Sequence, residues 1–299
     1  MKAKDFLSSQ TSLSAGKRAR LVRMLYEYGP GNGTLLLLPL DQGLEHGPLN
    51  FLDNPAAADT NFQFKLAIEG NYSGIAVHVG LAEKYFPQYA GRIPLVLKIN
   101  GKTNVPSDKK ALSPLTATVA DAVRLGADAI GYTLYVGSPK QAQDFSQYLE
   151  VRREAEKYGM PIIMWAYPRG EAIDEKGGRD SIYAVDYAAR VAEELGADIV
   201  KINVPKAAKP GMPESYVRFA EGKTEQQLTD KVVASAGRTL VLFSGGSKVS
   251  DEDLLTKVES CMQAGATGLI FGRNMWQRPY DQALAISKKV HEVMARYGS

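Results

Sequence analysis

Short apolar runs rich in Val, Ile and Leu recur along the chain, separated by longer stretches in which apolar positions return every three or four residues. Eight runs stand out: Leu35–Leu40, Gly74–Val79, Pro94–Ile99, Ala129–Leu134, Pro161–Ala166, Asp198–Ile202, Thr239–Phe243 and Thr267–Phe271. Most are apolar at nearly every position rather than at every second one. Such runs predict strands buried on both faces, as in a parallel sheet covered by helices. The stretches between predict helices over Ala56–Glu69, Leu81–Phe86, Thr116–Leu125, Gln141–Tyr158, Ile182–Leu195, Thr224–Ser235, Asp251–Ala264 and Asp281–Arg296. At three junctions, Leu125-Gly126-Ala127, Leu195-Gly196-Ala197 and Ala264-Gly265-Ala266, a glycine falls just past a helix and just before a strand. That is where a left-handed C-cap favours glycine.

Alternating strands and helices of this number predict an α/β fold, a (β/α)8 TIM barrel, with an open doubly wound sheet as the alternative. No G-x-G-x-x-G follows a strand, and no G-x-x-x-x-G-K-[ST] loop is present. Residues 1–33 read as an N-terminal helical extension ended by the turn Gly29-Pro30-Gly31-Asn32-Gly33. No Pro/Ser-rich linker divides the rest, so residues 1–299 are expected to form one barrel domain. The longest irregular stretch, Asn100–Pro114, follows the third strand, and a long loop there is expected to serve function.

Composition adds limits. The 299 residues carry a net charge of +3, 44% hydrophobic and 23% charged positions, and a single cysteine. Cys261 therefore has no intramolecular disulfide partner; it is expected to be a packed core thiol, in keeping with a reducing cytoplasm. No run approaches the roughly 18 apolar residues of a membrane span, and the first 30 residues lack a signal-type apolar core. Asp5 and Glu27 also argue against a transit peptide. The basic cluster Lys17, Arg18, Arg20 and Arg23 precedes Glu27, with Leu21, Met24 and Leu25 at helical spacing, and is expected to be a solvated helix face. No basic–aromatic stripe points to nucleic acid.

Active sites of such barrels form at the C-terminal ends of the strands. Those ends carry Asp41, Glu45 and His46; His78; Lys98 and Asn100; Tyr132 and Tyr135; Trp165, Tyr167 and Arg169; Lys201 and Asn203; Ser244-Gly245-Gly246-Ser247-Lys248; and Gly272-Arg273-Asn274. The loops after strands 7 and 8 commonly hold a phosphate. Ser244, Gly245, Gly246 and Gly272 let backbone N–H groups approach an anion, and Arg273 adds a cation suited to it. Lys201 interrupts an otherwise apolar strand. Desolvation and a cationic neighbour would both favour the neutral amine that attacks a carbonyl. Lys98 is set in the same way, so the pattern does not choose between the two, and an ion pair, for instance Lys201 with Asp41, is the structural alternative. Asp41 and Tyr167 are the candidate proton handlers. Trp165, two residues from Tyr167 on the same strand face, is expected to pack.

The segments Leu38-Pro39-Leu40-Asp41-Gln42-Gly43-Leu44-Glu45-His46-Gly47-Pro48, Trp165-Ala166-Tyr167-Pro168-Arg169-Gly170, Val200-Lys201-Ile202, Phe243-Ser244-Gly245-Gly246-Ser247 and Phe271-Gly272-Arg273-Asn274 resemble the archaeal-type class I fructose-bisphosphate aldolases, the DhnA-like family. The resemblance implies that Lys201, rather than Lys98, forms the Schiff base, that Tyr167 transfers protons, that Asp41 is the acid beside the lysine, and that Trp165 supports the tyrosine. It implies a phosphate cradle of Ser244, Gly245, Gly246, Gly272 and Arg273, with Arg169 and Lys248 near a second phosphate. It further implies fructose 1,6-bisphosphate as substrate, dihydroxyacetone phosphate and glyceraldehyde 3-phosphate as products, no metal or other cofactor, and a homo-oligomer, often a decamer.

Three other readings are carried forward. Asp41, Glu45, His46 and His78 would have to converge for a metal-dependent aldolase; otherwise His46 is expected to order the first loop and His78 to hydrogen-bond inside the mouth. Relatives with the same aspartate, tyrosine and lysine act as transaldolase-like synthases or as a thiolase on a phosphorylated dione. A barrel that binds sugar phosphate without turnover is the non-enzymatic alternative.

Overall fold

A computed structural model describes residues 2–10, 13–207 and 210–298. Its strands are β1 (Leu35–Leu40), β2 (Gly74–His78), β3 (Leu95–Lys98), β4 (Ala129–Val136), β5 (Ile162–Pro168), β6 (Ile199–Ile202), β7 (Leu240–Ser244) and β8 (Gly268–Ile270). Each pairs in parallel with the next, and β1 closes the ring on β8 with Leu35 opposite Gly268. This is the (β/α)8 barrel, not the open sheet. The continuous apolarity of the strands has the expected cause: in β1, β3, β4, β6, β7 and β8 every residue is buried.

The two faces of each strand feed two cores. Leu36, Leu38, Ile75, Val77, Leu95 and Leu97 pack outward against the helices. Leu35, Leu37, Ala76, Val96, Ala129, Ile163, Ile199 and Leu240 fill the barrel interior. Gly126, Gly196 and Gly265 all take positive φ, so each helix stops where its glycine predicts. Thr118 and Thr224 set helix starts by capping boxes with Asp121 and Gln227. The predicted helix Ala56–Glu69 is broken instead: a 3-10 turn over Pro55–Ala58 gives way to an α-helix over Thr60–Glu69 capped by Asp59.

The N-terminal helices Ala3–Ser9 and Ala15–Val22 and the π-helical turn Arg23–Glu27 that continues the second place Phe6, Leu7, Leu21, Met24 and Leu25 in the interior core, closing the bottom of the barrel. The basic cluster is therefore not a solvated face. Lys17 is buried, donating to Glu156 at 2.6 Å and to Asp198 at 3.2 Å, and Arg23 lies 3.4 Å from Asp128. Asp128 and Asp198 stand just ahead of β4 and β6, and Asp198 also accepts from the Ile162 N–H at 2.8 Å. Carboxylates buried at the barrel base require cations, and the extension supplies them. Arg18 donates to the Leu7 carbonyl, and Arg20 to those of Gly16 and Gly159. Cys261 is buried in the helix Asp251–Gln263, its thiol pushed up to about 12 by burial.

Candidate active site

At the C-terminal ends of the strands lies a cavity of about 720 Å³. Asp41, Glu45 and His46 reach it from the segment after β1, Tyr135 from β4, Tyr167 and Arg169 from β5, Lys201 and Asn203 from β6, Ser244–Ser247 from β7, and Gly272 and Arg273 from beyond β8. The loop Asn100–Pro114 joins them through Lys102, Asn104 and Asp108. Tyr132 does not: it faces outward and donates to Asp144 at 2.7 Å.

The two lysines that the pattern left equivalent are placed differently. Lys98 is fully buried beneath the cavity, donating to Glu45 Oε1 at 2.7 Å and to Thr133 Oγ1 at 2.6 Å. Lys201 is 5% exposed, lines the cavity, and among the described residues has no carboxylate oxygen within 4.0 Å. The ion pair with Asp41 is not formed. Lys201 stands opposite Trp165 in the β5–β6 register. Its ammonium nitrogen lies 4.8 Å from the centroid of that indole and 5.6 Å from the Tyr167 ring; Lys98 Nζ lies 4.7 Å from the same indole. Room for this comes from Gly131, where a Cβ would sit 2.7 Å from both Lys98 Cδ and the indole.

Burial dominates the electrostatics. It holds the Lys201 amine below its ordinary value of 10.5, opposed by the Asp41 and Glu45 carboxylates and helped by the Arg273 guanidinium. Burial alone would raise the Asp41 carboxyl; the charges of Lys201 and Lys98 outweigh it and hold Asp41 below the usual carboxylate range. Glu45 goes the other way, raised first by burial and then by Asp41, against the pull of Lys98. The Tyr167 phenol is pushed well up by burial and by Asp41 and Glu45, and so keeps its proton. Two neighbouring carboxyls thus differ in proton affinity beside an amine whose proton affinity is lowered and a phenol whose proton affinity is raised.

Glu45 was named in the sequence only as a strand-end residue and as a metal-ligand alternative, with no part in the lysine chemistry. One turn beyond Asp41, its N–H donates to the Asp41 carbonyl at 3.1 Å, so the i, i+4 spacing in the segment after β1 was the available signal. His78, expected to hydrogen-bond, has among the described residues no hydrogen-bond partner at either ring nitrogen; Nε2 lies 3.8 Å from Glu45 Oε1. Burial and the charge of Lys98 hold it down to about 4, so it is neutral. The His46 carbonyl accepts from Asn104, tying the loop after β1 to that after β3. Among the described residues no group of three or more His, Cys, Asp or Glu converges on a metal position.

The glycine turn after β7 is pinned from below. Asn274 donates to the carbonyls of Gly245 and Ser247, both at 3.1 Å, and accepts from the Val249 N–H at 2.9 Å. A Cβ on Gly245 would meet Asn274 at 2.8 Å and Phe271 at 2.9 Å, so only glycine fits. Gly246 has φ of +70° and open space before it. Ser244 Oγ donates to Asn203 Oδ1 at 2.5 Å, and Asn203 donates to Asp180 at 2.8 Å. Arg273 faces the cavity with no acidic partner within 4.0 Å among the described residues. Arg169 lies 5.2 Å from the Tyr167 ring and shares Asp108 with Lys102, at 3.0 and 2.7 Å. Lys248 is not brought to the cavity: the chain turns after Ser247, and its ammonium donates to the Gln277 carbonyl at 3.1 Å. Lys257, unmarked in the sequence, lines the cavity instead and donates to the Gly245 carbonyl at 3.2 Å.

Residues 35–278 match the DeoC/LacD family aldolase profile. The chain belongs to that family. The family match spans every predicted site residue from Asp41 to Arg273, leaving outside it the N-terminal helices and the final helix Tyr280–Met294. Among similar curated proteins, the class 1 fructose-bisphosphate aldolase of Thermoproteus tenax is 38% identical over 247 residues, 82% of this chain and 84% of that protein. The fructose-bisphosphate aldolase/6-deoxy-5-ketofructose 1-phosphate synthase of Methanocaldococcus jannaschii is 32% identical over 288 residues, 93% of this chain and 86% of that one. An archaeal fructose-1,6-bisphosphate aldolase, solved with its catalytic lysine covalently bound to the carbinolamine intermediate of the substrate, is 35% identical. It aligns with a TM-score of 0.78 over 92% of this chain and 99% of that one.

Proposed function

We propose that this aldolase is a class I fructose-1,6-bisphosphate aldolase that cleaves and forms the C3–C4 bond through a Schiff base on Lys201. The observation that carries the reading is the setting of Lys201: a buried amine lining the cavity, against an indole, without an acidic partner within 4.0 Å among the described residues and with its proton affinity lowered. Such an amine is the nucleophile that carbonyl addition requires.

In this reading, a phosphate on the glycine turn and Arg273 anchors the ketose through atoms that do not react, and thereby positions its carbonyl over Lys201. The amine adds, water leaves, and the iminium cation draws electrons from C3–C4. Asp41, held ionised, balances that cation. Tyr167 takes part in moving the C4 hydroxyl proton. Because its phenol is held protonated, it accepts that proton only by passing its own to a carboxylate, and Glu45, whose proton affinity is raised, is the acceptor in the same cavity. It then reprotonates the enamine, and hydrolysis frees Lys201. Arg169, at the rim, suits the second phosphate.

The synthase reading shares this chemistry and changes only the acceptor; the M. jannaschii relative carries both names. A coupled assay for triose phosphate released from fructose 1,6-bisphosphate separates the two. Turnover supports the aldolase, and its absence alongside an intact Lys201 adduct supports the synthase. A cytoplasmic setting and self-association belong to the same reading. The buried lone thiol accords with the first, and the exposed Leu49, Leu52 and Val105 with the second. Among the described residues no helix is long and apolar enough to cross a membrane.

A further inference from the structure

A second lysine buried beside a Schiff-base lysine is costly, and the mechanism above does not use it. We propose that Lys98 is a positioning residue of the aldol site: its ammonium, clamped between Glu45 Oε1 and Thr133 Oγ1 against the Trp165 indole, is the fixed charge that turns the Glu45 carboxyl toward the cavity and leaves Lys201, on the same indole, as the amine without an acidic partner.

The geometry divides the labour. Lys98 is fully buried and donates two short hydrogen bonds, to residues 53 and 35 positions away in sequence. Thr133 is itself held in place: its N–H donates to Asn100 Oδ1 at 2.7 Å, and its carbonyl accepts from Asn100 Nδ2 at 2.8 Å. One oxygen of Glu45 is therefore fixed on a rigid donor. The other has no protein hydrogen bond among the described residues, and Glu45 lines the cavity. A carboxyl anchored by one oxygen and open at the other is held in a single orientation, ready to exchange a proton at the mouth. Without Lys98, the Lys201 amine becomes the foremost remaining cation acting on Asp41, and an ion-paired Lys201 is a poorer nucleophile.

Several ionisable groups face this pair: Asp41 and His46 after β1, His78 on β2, Tyr135 on β4, Tyr167 and Arg169 on β5, Lys201 on β6, and Arg273 beyond β8. Phenols and guanidinia do not change charge on the acid side; of the two imidazoles, His78 is held to about 4 and His46 below its ordinary value, so both gain their protons in acid. Loss of the Lys98 charge raises both carboxyls, so an activity that needs either one ionised fails at a higher pH.

The inference rests on Lys201 as the nucleophile, so the wild type is trapped first with borohydride and fructose 1,6-bisphosphate. No adduct at Lys201 overturns the aldolase reading itself. With that adduct in hand, Lys98→Met is expected to lower kcat about tenfold or more and to leave KM within about threefold. It should also move the acid limb of kcat/KM up by about one pH unit, with the adduct still on Lys201. Thr133→Val and Glu45→Gln, which leave the lysine in place, are expected to lower kcat in the same sense and provide the test if Lys98→Met does not fold. A folded Lys98→Met with wild-type kcat and acid limb overturns the proposal. So does unaltered kcat in both Thr133→Val and Glu45→Gln. A Lys98→Met/Glu45→Gln double variant that regains wild-type kcat and acid limb also overturns it, since the lysine then only neutralises a buried carboxylate.

Discussion

Lys201 stands directly across the β5–β6 ladder from Trp165, and its ammonium nitrogen sits 4.8 Å from the centroid of the indole. The indole gives the amine an apolar, polarisable neighbour where an acidic partner would have fixed it in the charged form. Trp165→Phe keeps an aromatic face but leaves space in a fully buried slot. It is expected to lower kcat about tenfold, with the covalent adduct still on Lys201 and a drop in thermal midpoint from the lost packing. Steady-state rates and a melting curve check both parts.

Asp41 predicts a pH effect whose sign can be stated. Its carboxylate raises the proton affinity of Lys201. In Asp41→Asn that contribution is gone, so the amine stays neutral to lower pH, and the acid limb of the borohydride trapping rate moves down. Turnover falls at the same time, by about a hundredfold, because the iminium loses its counter-charge. Trapping rate against pH, set beside kcat, separates the two effects.

Arg273 has no acidic partner among the described residues, so its guanidinium is available to a ligand. Arg273→Met is expected to raise KM for the phosphorylated ketose by about ten- to a hundredfold, the worth of a charge-assisted hydrogen bond or two, with a smaller change in kcat. A rise in KM of less than twofold would remove Arg273 from the phosphate site.

At the barrel base, Lys17→Met leaves Asp198 buried without its cation. Removing one partner of a buried pair costs about 3–5 kcal/mol. The unfolding midpoint is expected to fall accordingly, while kcat per folded molecule stays unchanged, since the pair lies at the opposite end of the barrel. The Lys17 amine is raised above 10.5, burial being outweighed by Asp198 and Glu156, so its stabilising share is full below 10.5 and is lost as pH rises through the folded value. Burial raises Asp198 even when paired. In the variant, acid therefore narrows the deficit by protonating the orphaned carboxyl. Denaturant unfolding at several pH values measures this.

The strands, their order and the glycine caps were legible because they are local facts: continuous apolarity and a helix–glycine–strand junction are written within a dozen residues. The identity of the nucleophile was not. Leu95-Val96-Leu97-Lys98-Ile99 and Asp198-Ile199-Val200-Lys201-Ile202 read alike, and what separates them is Glu45 and Thr133, distant in sequence from Lys98. Lys17 was taken for a solvated residue for the same reason, since its partners lie 139 and 181 residues away. Lys248 was named because it follows the glycine turn, but adjacency along the chain did not bring it to the cavity. Lys257, ten residues beyond Ser247 on the next helix, reaches that turn instead.

The central claim is a covalent bond at one nitrogen. Borohydride reduction in the presence of fructose 1,6-bisphosphate, followed by peptide mass spectrometry, is expected to place the reduced adduct on Lys201 alone and to find none in Lys201→Met. An adduct on Lys98, or full cleavage activity in Lys201→Met without any adduct, would contradict the account.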